Sequence, residues 1–183
     1  LVLARQAGSA AAFDPLIAAL EAEHQVVRGA LGAARAAWKG QAQVSGERFE
    51  ELAPALNAAR LPSLLITGTS AEPLDDAKAW AWGKSKSIPT LAFVDSWVNL
   101  KARFTDATGA WLGDLPGHIL VIDEASKRHL AAAGMAAERI HVVGTPVLDA
   151  VVAKRRPPPD QAEGLTLLFA RDRKSTRLNS SHR

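Results

Sequence analysis

The stretch that decides the fold is HILVIDEASKRHLAAAGMAAERIHVVGTPVLDAVVAK, residues 118–154. It contains two apolar runs of strand length, His118–Ile122 and Arg139–Val143, which predict two β-strands. The segment between them begins with Asp123, a residue favoured at helix N-termini, and reaches Gly134, a residue favoured just beyond helix C-termini. That segment is therefore expected to be a helix. A strand, a helix and a second strand in this order predict parallel strands joined by a helical crossover.

The same alternation extends through the first half of the chain. Strands are predicted over Leu1–Ala4, Gln25–Val27, Ala42–Val44, Ser63–Thr67 and Pro89–Val94, and helices over Ala10–Ala22, Gly29–Trp38, Pro73–Lys86 and Val147–Lys154. A further helix is expected around Phe49 to Leu56, and a turn at Gly8-Ser9. Parallel strands with right-handed helical crossovers predict an α/β protein, a Rossmann-like doubly wound parallel sheet covered on both faces.

The C-terminal part of the sequence departs from this pattern. Residues 1–154 are predicted to form the Rossmann-like domain, and the proline-rich residues 155–164 to form a stiff linker. Residues 165–170, LTLLFA, are typical of a core strand and predict the start of a truncated second domain. Residues 171–183 have no apolar periodicity and resemble a peptide read through from sequencing-adapter DNA. They are excluded from the fold prediction.

Charge and composition exclude several classes of protein. The formal charge of +3 comes from the last thirteen residues, which hold five of the 22 Lys and Arg and one of the 19 Asp and Glu. The rest of the chain carries a net charge of −1, so no nucleic-acid partner is expected. The chain has no cysteine and no apolar run of about 20 residues, which predicts a cytoplasmic protein without disulfides, Cys-ligated metal or a transmembrane helix.

Candidate binding residues follow the predicted strands, because ligands bind beyond the carboxyl ends of strands in an open parallel sheet. These residues are Gly8, Ser9, Gly68, Thr69, Ser70, Asp95, Ser96, Trp97, Asp123 and Glu124. Gly8-Ser9 does not form the GxGxxG fingerprint of dinucleotide-binding proteins, which disfavours NAD, and no P-loop is present. Gly68-Thr69-Ser70 could hold a phosphate or a sugar hydroxyl, or could form a plain strand-to-helix turn.

Asp95 is the strongest candidate for a catalytic residue. A carboxylate at the end of a buried strand can act as a general base toward a hydroxyl. Trp97 could pack its indole on a sugar ring, while Arg103 could pair with Asp95 or face an anionic group of a ligand. The simpler alternative is that Asp95 caps the next helix and Trp97 belongs to the core.

Other polar and aromatic residues carry no site prediction. The histidines at 24, 118, 129 and 141 show no metal-ligand spacing, so no metal site is predicted. Trp80 and Trp82 lie two residues apart on a predicted helix, and they are therefore expected to pack on different sides of it.

Combined in sequence order, the segments LLITGTS, AWAWGKSKSIPTLAFVDSWVNLKARF and HILVIDEASKRHLAAAGMAAERIHVVGTPVLD resemble the N-terminal half of a GT-B-type sugar-nucleotide enzyme. The closest similarity is to glycosyltransferase-like proteins of bacterial polysaccharide biosynthesis, and a more distant one is to UDP-N-acetylglucosamine 2-epimerases. The resemblance implies a cleft between two Rossmann-like domains, with Gly8, Ser9, Gly68, Thr69, Ser70, Asp95 and Trp97 on its wall. It implies a nucleotide sugar as substrate, UDP-linked, without a further cofactor.

The resemblance leaves three functions open. The first is a fragment of a glycosyltransferase that acts with a glycan or lipid-linked acceptor and lacks its C-terminal donor domain. The second is a UDP-N-acetylglucosamine 2-epimerase-like isomerase, which would need acid–base carboxylates such as Asp95, Asp123 or Glu124 near one another. The third is a Rossmann-like module that binds a ligand without catalysis.

Overall fold

A computed structural model of the chain describes residues 1–70 and 75–153. The strands are β1 (Val2–Ala4), β2 (Arg28–Leu31), β3 (Val44–Gly46), β4 (Leu65–Thr67), β5 (Thr90–Val94), β6 (His118–Val121) and β7 (Ile140–Val142). The α-helices are α1 (Ala7–Leu20), α2 (Ala34–Ala37), α3 (Phe49–Ala58), α4 (Asp75–Ser85), α5 (Glu124–Ala132) and α6 (Pro146–Ala153). Two short 3-10 helices cover Lys101–Phe104 and Ala137–Arg139.

All seven strands form one parallel sheet in the order β3-β2-β1-β4-β5-β6-β7. The chain builds outward from β1 to β3 on one side, and then crosses back to add β4 to β7 on the other. The order therefore reverses between β1 and β4, and this position is the topological switch point at which open α/β sheets bind ligands. The predicted Rossmann-like doubly wound fold is confirmed.

Helices cover both faces of the sheet, so the central strands are buried on both sides. In β1, Val2 and Ala4 pack with Phe13 and Ile17 of α1, whereas Leu3 faces the opposite way and packs with residues of α3 and α4. A third cluster lies around β5 and β6 and includes Trp80, Phe104 and Leu130. Burial of both faces explains why these strands read as continuous apolar runs without polar alternation.

The second strand lies further along the chain than the sequence predicted. We expected a strand over Gln25–Val27 and a helix over Gly29–Trp38, but Arg28–Leu31 forms β2, and helix α2 is only four residues long. A Cβ atom at Gly29 would lie 2.8 Å from Leu3 Cδ1, so glycine permits the close approach of β2 to β1. Tertiary pairing thus overrides the helical appearance of this alanine-rich segment.

Smaller differences concern the first helix and the third strand. Helix α1 begins at Ala7, and Gly8 and Ser9 therefore lie in its first turn and do not form the predicted separate turn. Strand β3 covers Val44–Gly46, two residues beyond the predicted Ala42–Val44. The shift of α1 places Ser9 on the side of the helix that meets the end of β5, as its contacts show below.

The two tryptophans of α4 confirm their predicted arrangement. Trp80 belongs to the cluster around β5 and β6, and its indole N–H donates to the Thr67 hydroxyl at 2.8 Å. Trp82 belongs to the cluster of β1, α3 and α4, and its indole N–H donates to Asn57 Oδ1 at 3.0 Å. Both rings are core residues with satisfied N–H groups, so neither is available as a stacking platform for a ligand.

No helix within the described residues is long and apolar enough to cross a membrane. The predicted linker 155–164, the predicted strand 165–170 and the predicted read-through tail 171–183 lie outside the described residues, and the division into domains stays a prediction.

Candidate functional site

A wide cleft opens at the carboxyl ends of the strands beside the switch point. Its volume is about 1380 Å³, and we call it the switch-point cleft. Most of its lining side chains are charged or carry an amide or hydroxyl group, and two are alanines. The lining residues are Gln6, Arg48, Thr69, Ser70, Lys78, Asp95, Ser96, Asn99, Ala102, Arg103, Thr105, Asp106 and Ala107. Five of the predicted site residues belong to this lining, namely Thr69, Ser70, Asp95, Ser96 and Arg103.

Asp95 is held by two donors from different parts of the chain. The Ser9 hydroxyl donates to Asp95 Oδ2 at 3.1 Å, and Arg103 donates from a guanidinium nitrogen to Oδ1 at 3.3 Å. Each carboxylate oxygen can accept a second hydrogen bond, and the side chain keeps 20% of its surface exposed. Asp95 is therefore fixed in position while it remains accessible to a hydroxyl group in the cleft.

Asp95 does not cap the next helix, so the simpler alternative from the sequence is wrong. The next helical turn is Lys101–Phe104, whose N-cap residue is Leu100. The structure instead uses Asp95 to join the end of β5 to helix α1. Trp97 does not belong to the core either, because 61% of it is exposed.

Arg103 pairs with Asp95, which is the first of the two roles that the sequence suggested for it. The same guanidinium nitrogen also donates to the backbone oxygen of Thr69 at 2.7 Å and to the Thr69 hydroxyl at 2.9 Å. The Thr69 hydroxyl in turn donates to the Phe93 carbonyl at 3.3 Å. With 12% of its side chain exposed, Arg103 ties the loop after β4 to the loop after β5.

Gly8, Ser9 and Gly68 lie directly behind the cleft wall and are absent from its lining. A Cβ atom at Gly68 would lie 2.6 Å from Ser9 Oγ, and one at Gly8 would lie 3.4 Å from Asp95 Oδ2. The glycine at position 68 lets helix α1 approach the end of β4 closely. The close packing places the Ser9 hydroxyl, which is almost fully buried, in position to donate to Asp95.

Ser70 connects the cleft to a buried carboxylate that the sequence did not single out. The Ser70 hydroxyl donates to Asp76 Oδ2 at 2.6 Å, and only 1% of Asp76 is exposed. Burial raises the pKa of Asp76 to about 7, against the opposing effect of its hydrogen bonds from Ser70. Within the part of the chain that the structure describes, Asp76 Oδ1 accepts no hydrogen bond.

Two cations of the cleft were also missed by the sequence analysis, Arg48 and Lys78. Arg48 precedes α3, and Lys78 lies on α4 and pairs with Glu50. Nothing in the sequence distinguishes these two from other exposed cations, because helices far apart in the chain bring them to the same cleft.

Beneath these cations lies a buried ion pair. Asp75 has no exposed side-chain surface, and its carboxylate accepts from Arg5 Nε at 2.9 Å and from the Phe49 backbone N–H at 3.0 Å. Arg48 Nε lies 3.5 Å from the same carboxylate. Burial opposes ionisation, but the hydrogen bonds from Phe49 and Arg5 outweigh it and lower the pKa of Asp75. This ion pair connects the ends of β1, α3 and α4 under the cleft.

Trp97 and Glu124 do not line the cleft. The Trp97 indole N–H donates to Asp123 Oδ2 at 2.7 Å, and Asp123 also caps α5 by accepting from the Ser126 backbone N–H at 2.8 Å. The hydrogen bonds that Asp123 accepts from the Ser126 backbone N–H and from the Trp97 indole lower the pKa of its carboxyl group. Glu124 is exposed at the start of α5. Neither Asp123 nor Glu124 belongs to the cleft lining that contains Asp95, so within the described residues the three carboxylates do not face one cleft.

No group of three or more His, Cys, Asp or Glu side chains in the described ranges is arranged to hold a metal ion. The groups that the cleft offers a ligand are cations, hydroxyls, amides and the Asp95 and Asp106 carboxylates. Such a lining suits a polar, partly anionic ligand with several hydroxyl groups.

Comparison with known proteins shows which solved structures share this fold. No protein-family model matches the sequence, and no curated protein is detectably similar to it. UDP-GlcNAc 2-epimerase from Neisseria meningitidis, bound to UDP-GlcNAc, superposes with a TM-score of 0.59 at 13% identity over 83% of this chain. A putative UDP-N-acetylglucosamine 2-epimerase from Listeria monocytogenes gives 0.59 at 15% identity over 85%. S. aureus MnaA in complex with UDP gives 0.55 at 13% identity over 88%.

This chain spans about half the length of the structures it matches, 48%, 47% and 48% of them respectively. At these identities the likeness concerns the fold. The chain has a Rossmann-like α/β fold that matches the N-terminal half of GT-B-type epimerases.

Proposed function

We propose that this chain forms one wall of the active-site cleft of a GT-B-type enzyme that acts on a UDP-linked sugar. Epimerisation of UDP-N-acetylglucosamine at C2 is the first activity to test, because the structural neighbours carry that name. The observation that carries the proposal is Asp95, a carboxylate fixed between Ser9 and Arg103 at the end of a central strand and open to the switch-point cleft.

The charges of the cleft support an anionic substrate. Arg48 and Lys78 lie on the same lining as Asp95, and both are partly exposed. A UDP-sugar carries a diphosphate next to a ring rich in hydroxyl groups. Cations in a concave site attract the diphosphate, whereas the more accessible Ser96 and Asn99 of the same lining offer hydrogen bonds to hydroxyls.

The chemistry of epimerisation assigns Asp95 a proton-transfer role. When a base takes the C2 proton, the electron pair forms a C1–C2 double bond and the bond from C1 to the UDP oxygen breaks. A proton then returns to the opposite face of C2 and UDP adds back to C1. The inversion therefore requires groups that accept and return a proton on two sides of the sugar. Asp95 would serve one side, and the second group would stand on the facing wall of the cleft.

Glycosyl transfer is the second candidate, and the arrangement of the two cleft carboxylates favours it. Asp106 accepts from Thr108 and Ala110 within its own exposed turn, whereas Asp95 is held in place at the end of a central strand by Ser9 and Arg103. Transfer needs one base to deprotonate an acceptor hydroxyl, and one carboxylate is enough for that task. The leaving diphosphate would then be stabilised by cations.

One experiment separates the two activities. The gene product at its full natural length is incubated with UDP-N-acetylglucosamine in D₂O and followed by proton NMR. Epimerisation replaces the hydrogen at C2 with deuterium and produces the second epimer. Transfer releases UDP in proportion to an added acceptor and leaves the C2 hydrogen in place.

Asp95→Asn tests the assigned residue in the same assay. We expect it to lower kcat by about 100-fold or more, the usual effect of removing a general base. Arg103 also loses its charged partner, so the thermal midpoint of unfolding should fall, and turnover is compared at a temperature at which both proteins stay folded. The matched control is Asp114→Asn, an exposed acid that pairs with Lys84 away from the cleft lining. Wild-type turnover by Asp95→Asn would refute its role. Failure of the full-length protein to bind or convert any UDP-sugar would refute the proposed function.

A further inference from the structure

Two histidines that lie far apart in the sequence contact each other on the outside of the sheet. His118 is the first residue of β6, and His141 is the middle residue of the neighbouring strand β7. Their ring nitrogens, His118 Nδ1 and His141 Nε2, lie 2.9 Å apart, and both side chains are exposed. The sequence predicted no metal-ligand spacing among the histidines, because these two are brought together only by strand pairing.

The two ring nitrogens are close enough to bind one metal ion together. Without metal they share a hydrogen bond at 2.9 Å, in which one ring donates and the other accepts. Nitrogen ligands of first-row divalent metals lie about 2.0–2.1 Å from the ion, so two of them bound to one ion are about 3 Å apart. Because both rings are exposed, a small rotation of each can replace the shared proton with a shared ion without disturbing the core.

We propose that His118 and His141 form a two-imidazole binding site for a divalent transition-metal ion, with Cu²⁺ preferred over Ni²⁺ and Zn²⁺. Imidazole nitrogen suits these ions, and the affinity of a given nitrogen site rises from Ni²⁺ to Cu²⁺ and falls again at Zn²⁺. No third His, Cys, Asp or Glu joins the pair within the described residues, so water completes the coordination. The site is open and therefore binds less tightly than a closed structural metal site.

The site lies apart from the switch-point cleft. The cleft is at the carboxyl ends of β1, β4 and β5, whereas His118 begins β6 at its amino end, and neither histidine belongs to the cleft lining. The metal site is thus independent of the proposed sugar-nucleotide activity. Its structural consequence is local, because within the described residues β7 is the last strand of the sheet and pairs with β6 alone. A bound ion would link this edge strand to its neighbour.

The test is a titration of the metal-free protein with Cu²⁺, Ni²⁺ and Zn²⁺, with binding measured by calorimetry and bound Cu²⁺ examined by electron paramagnetic resonance. We expect one Cu²⁺ ion per chain with two nitrogen ligands, and a rise in the thermal midpoint of unfolding on binding. His118→Gln and His141→Gln should each weaken Cu²⁺ binding at least tenfold and reduce the ligand count to one nitrogen. The double variant should bind Cu²⁺ more weakly than either single variant, because it also removes the remaining imidazole nitrogen.

Two histidine variants at exposed positions serve as matched controls, His24→Gln and His129→Gln. Each removes one histidine outside the pair, and we expect Cu²⁺ affinity at the first site to stay within twofold of the wild type. Since His118 and His141 are exposed, their variants should melt like the wild type without metal, and either one alone suffices for the test. Unchanged affinity in both pair variants, or an equal loss in the controls, would overturn the proposal.

Discussion

The carboxyl ends of β4 and β5 and the carboxyl end of β6 all carry polar residues, yet the two regions are organised differently. At β4 and β5, Thr69, Asp95 and Arg103 bond to one another and to Ser9 of α1. At β6, Asp123 caps its own helix and bonds to an indole that is 61% exposed. The first region joins four parts of the chain and lines the switch-point cleft, whereas the second joins only the start of α5 to the loop after β5 and lies outside the cleft lining.

The difference follows from position in the sheet. At the switch point, the chain runs from β1 toward one edge of the sheet and from β4 toward the other. The two connections therefore diverge, and polar residues project into the crevice between them. Further along the sheet, each strand end is followed directly by its own helix, and an acid there is free to cap it. Four substitutions test whether the two regions differ as described.

The largest effect is expected from Asp75→Asn beneath the cleft. Asp75 is buried and neutralises Arg5, whose side chain is largely buried as well. Loss of the charge leaves Arg5 without its partner, and we expect the free energy of unfolding to fall by about 3 kcal/mol. Urea denaturation measures this change. The control Asp114→Asn breaks an exposed pair with Lys84 and should cost less than about 1 kcal/mol. Equal losses in both variants would contradict the buried role of Asp75.

Gly68→Ala should give the next largest effect. The added Cβ would lie 2.6 Å from Ser9 Oγ and 2.8 Å from Ser9 Cβ, so helix α1 must shift away from the end of β4. We expect a loss of about 2 kcal/mol in the free energy of unfolding, typical of overpacking. Gly113→Ala is the matched control, because an added Cβ there meets no atom within 4 Å. If both variants were equally stable, the close contact between Gly68 and Ser9 would be absent.

The buried carboxylate behind Ser70 predicts an effect of pH. Folding raises the pKa of Asp76 from 3.8 to about 7, so the folded state binds more protons than the unfolded state between these values. The contribution of Asp76 to stability is therefore lost as pH rises through this window, by up to about 1.4 kcal/mol per pH unit. Asp76→Asn removes the titration, and its stability relative to the wild type should increase from pH 5 to pH 8.

Asp106→Asn provides a control of opposite sign for the pH experiment. Hydrogen bonds from Thr108 lower the pKa of Asp106, so its contribution to stability is present at neutral pH and is lost as pH falls. Relative to the wild type, this variant should therefore gain stability toward low pH. If the free energies of unfolding of the wild type and of Asp76→Asn changed in parallel with pH, folding would not raise the pKa of Asp76.

The smallest effect is expected from Glu124→Gln at the end of β6. Glu124 is exposed in the first turn of α5, and loss of its charge should cost about 0.3 kcal/mol through the helix dipole. We expect no change in UDP-sugar binding, measured by calorimetry, because Glu124 lies outside the cleft lining. A large loss of binding or turnover would place Glu124 in the active site and would restore the predicted cluster of carboxylates.

The sequence was sufficient to predict most of the fold and part of the candidate site. Apolar runs such as His118–Val121 and Thr90–Val94 are strands because continuous apolar character is required of a parallel strand buried on both faces. The prediction failed at Arg28–Leu31, because the alanine-rich sequence that follows Gly29 favours a helix. Pairing with β1 decided the conformation of that segment.

The site shows the same division. Thr69, Ser70, Asp95 and Ser96 could be predicted because strand ends in a parallel sheet share one edge, and this rule needs no coordinates. Arg48, Lys78 and Asp76 could not be predicted, because each reaches the cleft through the packing of a helix on the sheet. The role of Trp97 also depended on the loop that carries it toward Asp123.

By itself, the sequence determined the class of fold, the alternation of strands and helices along the chain, and the edge of the sheet at which polar residues gather. These properties depend on local periodicity and on the chirality of crossovers, which act along the chain. The tertiary structure decided which polar residues meet: Ser9 with Asp95, Ser70 with Asp76, and His118 with His141. A hydrogen bond between side chains forms only when the donor and acceptor lie within a few tenths of an ångström of the right distance. Packing between elements remote in sequence sets that distance.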